Sequence, residues 1–138
     1  DYFLQVNGFV FERRRREFAE NNSTEADHIY GDKFTVGDGE VTGIGNNVVL
    51  DFGEFDFSDE APAALIIEGR SPLPLNSIHL ILDDGTDAKR ILCEFRTDGE
   101  TEYCRRSFPL DGISGKVKVS FAFLPGSDFD MRSFAFTK

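Results

Sequence analysis

Lys116-Val117-Lys118-Val119-Ser120-Phe121-Ala122-Phe123 alternates polar or small residues with apolar ones without a break. Successive side chains of an extended chain point to opposite faces. Val117, Val119, Phe121 and Phe123 therefore share one face, and the segment reads as a strand with one buried side. Downstream, Leu124-Pro125-Gly126-Ser127-Asp128 is a loop, and Phe129 to Phe136 forms a last strand in which Phe134 and Phe136 lie two apart. Upstream, Pro109 to Gly115 is a loop preceded by a strand over Glu102 to Phe108. Asp98-Gly99 and Asp84-Gly85 are two-residue turn signals. The first predicts a hairpin with Arg90 to Phe95. The second predicts a hairpin between that strand and Ser77 to Asp83, where Ile78, Leu80 and Leu82 alternate with His79, Ile81 and Asp83.

The same short period continues toward the N-terminus. Ala64-Leu65-Ile66-Ile67-Glu68 predicts a buried strand, and Ser71-Pro72-Leu73-Pro74 a loop, because proline donates nothing to a ladder. Val41 and Val48-Val49-Leu50-Asp51-Phe52 predict strands separated by Gly43-Ile44-Gly45-Asn46-Asn47. That glycine pair lacks the third glycine and the following helix of a nucleotide loop, so it reads as a turn. Asp1 to Asn22 reads as a strand, with Phe3, Val6, Phe9, Val10 and Phe11, followed by a charged connector. No segment keeps a 3.6-residue apolar period over three turns, and no repeat or linker composition is visible. The expectation is an all-β, antiparallel sandwich of jelly-roll type, a single domain with residues 1–24 as connector and first strand and residues 25–138 as the module proper.

Composition removes several functions. The chain has 138 residues and a net charge of -10, a length suited to one core and a charge that repels polyphosphate. The only basic run, Arg13-Arg14-Arg15-Arg16, is bracketed by Glu12 and Glu17 with Glu20 beyond. It reads as a self-neutralised face, and no nucleic-acid partner is expected. No apolar run approaches the roughly 20 residues of a membrane helix, so no membrane insertion is expected. The sequence starts at Asp1 without a leader, and so reads as a processed or excised piece. Cys93 and Cys104 flank Asp98-Gly99 symmetrically and should face each other at a hydrogen-bonded pair. Side chains there stand farther apart, which favours free thiols over a disulfide. Asn21 and Asn22 head glycosylation-type tripeptides, which are frequent by chance.

Catalytic machinery is hard to assemble from these residues. The chain has two histidines, His28 and His79, with no recognisable nucleophile and carboxylate beside either, and His79 reads as a polar-face strand residue. Asp38, Asp84, Asp98 and Asp111 each precede glycine, where Asp shapes turns rather than facing a second carboxylate across a glycosidase cleft. Glu54 to Glu60, or Asp128 with Asp130, could lend oxygens to calcium, but no EF-hand spacing exists. Sugar recognition is easier to accommodate, since it needs an aromatic plate and planar polar groups. Tyr30 and Tyr103, each next to turn residues, are the available plates, while most of the phenylalanines belong to the core.

The stretch from His28 to Phe136 resembles a C-terminal domain of bacterial family 2 glycoside hydrolases of the β-galactosidase type, and looks like a relative of family 6 carbohydrate-binding modules. The resemblance is carried by Ile29-Tyr30-Gly31-Asp32, Ile44-Gly45-Asn46-Asn47-Val48, Gly69-Arg70-Ser71, and Val117 to Phe123 running into Leu124-Pro125-Gly126-Ser127 and Phe129-Asp130. It implies a galactose-binding-domain-like jelly roll with no catalytic residues. Its partners would be carbohydrate and the catalytic domains of a parent enzyme. It also implies a sugar site on Tyr103, after the central hairpin, and Asp130, with Tyr30 as a second, weaker plate, and Arg70 joins these as a candidate contact. Where such modules carry an Asp-Trp pair near the last strand, this sequence has Arg132-Ser133. An arginine does not ligate calcium, so no cofactor is expected and a structural calcium is disfavoured. The alternative is a module that packs against catalytic domains or a second subunit and binds no sugar. An independent hydrolase would need two carboxylates facing each other in a deep cleft.

Overall fold

The structure, a computed structural model, describes residues 16–97 and 102–138. Its strands are β1 (Asn21–Asn22), β2 (His28–Tyr30), β3 (Thr35–Val36), β4 (Val41–Ile44), β5 (Val49–Phe57), β6 (Ala64–Arg70), β7 (Leu75–Asp83), β8 (Ala88–Arg96), β9 (Cys104–Pro109), β10 (Gly115–Phe123) and β11 (Phe129–Thr137). The alternation in β10 does what its pattern demands: Val119 and Phe121 are fully buried, Val117 and Phe123 nearly so, and the intervening residues face outward.

β10 is the middle strand of a five-stranded sheet in the order β2-β5-β10-β7-β8. A second sheet runs β3-β4-β11-β6-β9, with β1 paired to β11 as its sixth strand. All pairings are antiparallel. The two apolar faces meet in one core whose centre is aromatic. Phe121 and Phe52 of one sheet meet Phe134 of the other at centroid distances of 4.8 and 4.7 Å, and Phe55 meets Phe136 at 5.7 Å, all edge-on. Edge-on contact sets the positive rim of one ring against the negative face of the next. Each fully buried Phe stabilises the fold by up to about 3 kcal/mol relative to exposure, so these rings hold the sheets together. Gly69 makes room for a ring of the neighbouring strand, because a Cβ there would overlap the Phe129 ring and lie 2.9 Å from the Asp130 carbonyl oxygen.

The path of the chain departs from the expectation at the connection of β8 to β9, and Gly43 and Ile44, expected in a turn, end β4. β7 and β8 do form the hairpin that Asp84-Gly85 predicts, and Ser71 to Pro74 is the expected loop between β6 and β7. β8 and β9, however, belong to opposite sheets. Asp98-Gly99 lies outside the described residues, but the flanking strands do not pair as a hairpin. Cys93 stands opposite Ile78 and Cys104 opposite Gly69 instead of facing each other, and both are free thiols. The physical reason is burial: Phe95 on β8 and Phe108 on β9 pack against each other at 6.5 Å from facing sheets, which a flat hairpin would prevent. β6 is buried on one face only, with Leu65, Ile67 and Gly69 inward and Ile66 partly exposed.

The strand expected over Phe3 to Phe11 and the arginine run up to Arg15 lie outside the described residues. From Arg16 onward the chain is docked on the sandwich. Phe18 packs on Phe57 at 5.9 Å, and the Ser23 hydroxyl donates to the Met131 carbonyl at 2.6 Å.

Candidate functional site

Four strand ends of the six-stranded sheet converge: β4 and β6 finish, while β9 and β11 begin. Two irregularities shape this corner. Opposite Asp130 the register of β4 and β11 slips, and Gly43 takes φ 61°, a left-handed conformation that glycine adopts without steric cost. The Gly43 amide thereby donates to Asp130 Oδ1 at 2.9 Å. One turn of the pleat later, the pairing runs Met131 to Gly69 and then Ser133 to Glu68. Arg132 is the extra residue of a bulge, a device that re-aims a side chain.

On this corner Arg70 and Asp130 face each other in register, and Arg70 Nε donates to Asp130 Oδ2 at 2.7 Å. That bond raises the already high pKa of the guanidinium further. Tyr103, just before β9, reaches across the sheet so that its hydroxyl donates to Glu40 Oε1 at 2.5 Å. Its ring centroid is 4.6 Å from the Arg70 guanidinium carbon and 4.0 Å from that of Arg132, both cation–π distances. Burial, and then the bond to Glu40, push the Tyr103 phenol well above its ordinary range, so it remains a neutral hydroxyl at physiological pH.

The structure therefore brings together three of the four residues singled out in the sequence: Tyr103, Arg70 and Asp130. Tyr30 stands elsewhere. It ends β2, the edge of the other sheet, opposite Val49, and is 55% exposed. The sequence reading missed Glu40 and the part played by Arg132. A signal for Arg132 existed in the spacing, since Glu68 with Arg70 and Asp130 with Arg132 are each two apart on neighbouring strands, a charge pattern that pairs across a sheet face.

Beside this corner the Ser133 hydroxyl lies 2.9 Å from Glu20 Oε2 and 3.2 Å from Glu68 Oε1. Arg105 stands 3.6 Å from Glu20 and 3.8 Å from Glu68, and Arg132 stands 3.4 Å from Glu68. These carboxylates are met by guanidinium charge, a donor set that does not fit calcium. Among the described residues no group of three His, Cys, Asp or Glu is placed to hold a metal. His28 and His79 are in one sheet with two strands between them, and the depression beside Glu68 and Arg105 is shallow, about 150 Å³.

No family model and no curated protein matches the chain. Solved structures do. A family 6 carbohydrate-binding module whose binding sub-sites have been dissected superposes with a TM-score of 0.76 at 16% identity, covering 91% of this chain and 97% of that one. A family 6 module from Clostridium cellulolyticum in complex with xylose gives 0.74 at 19% identity, over 88% and 98%. A family 43 arabinoxylan arabinofuranohydrolase from Bacillus subtilis in complex with cellotetraose gives 0.71 at 19% identity, over 99% of this chain and 33% of that enzyme. At these identities the likeness is one of fold: the chain has the β-sandwich of family 6 carbohydrate-binding modules.

Proposed function

We propose that the chain is a non-catalytic carbohydrate-binding module whose glycan site is the corner built on Tyr103, with Arg70 and Asp130 as the polar contacts. The observation that carries this reading is the Tyr103 ring standing beside a partly exposed Arg70–Asp130 pair, with side-chain exposures of 34% and 24%. A pyranose needs an apolar plate for its C–H face and planar donors and acceptors for its hydroxyls, and this corner supplies both. The charges here balance locally, which suits an uncharged sugar. Asp130 accepts from Gly43 and Arg70, yet each carboxylate oxygen keeps a second acceptor direction for a hydroxyl.

The module is proposed to serve a glycoside hydrolase. Its fold match to one third of a family 43 enzyme supports an accessory placement. The sequence resemblance points more narrowly to a parent of the β-galactosidase type, with its catalytic domains as partners, and reading the full-length chain tests that directly. Tyr30, on the opposite sheet, is left outside the proposed site.

Calorimetric titration of the domain with galactose, lactose, xylotetraose and cellotetraose tests the function. At least one sugar should bind weakly, in the micromolar to millimolar range, and Tyr103→Ala should abolish that binding while leaving the circular dichroism spectrum unchanged. Silence across the panel, or unchanged affinity in Tyr103→Ala, would overturn the proposal.

A further inference from the structure

The glycan reading meets an obstacle at the ring itself. A guanidinium carbon 4.0 Å from the Tyr103 centroid sits where the C–H face of a stacked sugar would sit, and the two cannot share one face. The two arginines near the ring are held very differently. Arg70 continues a regular strand and is fixed by a short charge-assisted bond of 2.7 Å to a partly buried carboxylate. Arg132 is the extra residue of a bulge, its side chain is 46% exposed, and its contact with Glu68 is 3.4 Å. Glu68 is also approached by Arg105 and by the Ser133 hydroxyl, so its charge is shared. Glu68 itself is only 14% exposed, but the Arg132 guanidinium meets it at the long end of hydrogen-bond reach and stays half in water, so this pair and the stacking of the guanidinium on the ring hold the side chain more loosely than the short Arg70–Asp130 bond holds Arg70.

We propose that Arg132 is a displaceable cover on Tyr103, stacked on the ring in the free protein and swung aside when a sugar takes its place. The inference rests on the glycan reading of the site. It makes Arg132 a determinant of affinity that acts against binding, whereas Arg70 acts for it. Because a sugar must replace a contact that already exists, weak stackers are rejected and only ligands that gain more from the ring and the Arg70–Asp130 pair are retained. The bulge is what permits this, since a residue outside the regular register can change rotamer without disturbing the ladder on either side.

Titrating wild type, Arg132→Ala, Arg70→Ala and Tyr103→Ala with cellotetraose and xylotetraose, followed by NMR, tests the inference. Arg132→Ala should bind about two- to fivefold more tightly than wild type, the factor that matches loss of one exposed cation–π competitor. The Arg132 side-chain protons, shielded by the Tyr103 ring current, should move downfield as sugar is added. Unchanged or weakened binding in Arg132→Ala, with Tyr103→Ala still abolishing it, would overturn the cover while leaving the site intact. Full binding in Tyr103→Ala, or no binding by wild type and Arg132→Ala alike, would remove the site and the cover together.

Discussion

Tyr103 gives the corner a measurable pH signature. Burial and the bond to Glu40 raise its pKa, so the folded state holds the phenolic proton more tightly than the unfolded chain, whose phenol titrates near pH 10. The stability this group contributes is intact below about pH 10 and declines as the pH rises beyond it. In a spectrophotometric titration Tyr103 should ionise later than a free phenol, and Tyr103→Phe should delete that late phase; a normal titration of Tyr103 would contradict the half-buried bond to Glu40. Thiol chemistry makes a second test. Cys93 is fully buried, and burial pushes its pKa up to about 11. A disulfide reagent at pH 8 should leave Cys93 unmodified in the folded protein, and rapid labelling there would mean β8 is not packed as described. Gly69 is a third. A methyl group would collide with the Phe129 ring, so Gly69→Ala should destabilise by about 1–3 kcal/mol, read as a lowered melting temperature, and an unchanged value would show that the Phe129 ring does not lie over this residue.

At the level of the strand, β10 separates the two faces most cleanly. Phe121 is fully buried, and its ring meets Phe52 at 5.8 Å and Phe134 at 4.8 Å. Phe121→Ala should cost about 3–5 kcal/mol, whereas Lys118→Ala, on the outward face, should stay within about 0.5 kcal/mol in denaturant unfolding; comparable losses from both would contradict one-sided burial. This strand was legible because its period of two runs for eight residues without an exception. The β8–β9 connection was not legible. Asp98-Gly99 says that the chain turns, but a turn signal does not say whether the next strand pairs alongside or crosses to the facing sheet, and only the mutual burial of Phe95 and Phe108 decides it. The separation of Tyr30 from the other three was illegible for a similar reason, since local polarity around Gly31-Asp32 marks a strand end without saying to which sheet the strand belongs. Tyr103, Arg70 and Asp130 converge through pairing of β6 with β9 and β11, distances of thirty to sixty residues that no local pattern encodes. Tyr103 was visible on its own as an aromatic beside turn residues, whereas Asp130 came in through a family resemblance.

For the molecule as a whole, the sandwich separates stability from recognition. The aromatic core between the sheets fixes the strands, and the corner where four strand ends meet presents a half-buried tyrosine, its charged neighbours and a bare glycine backbone. A net charge of -10 steers polyanions away, which is consistent with the uncharged glycan proposed for this corner. The most direct measurement is backbone amide shift mapping of the isotope-labelled domain during titration with cellotetraose and xylotetraose. The account predicts saturable shifts concentrated at Gly43, Arg70, Tyr103, Asp130 and Arg132. Shifts confined to the outer face of the other sheet, around Tyr30 and Leu92, or no shifts with any sugar, would contradict it.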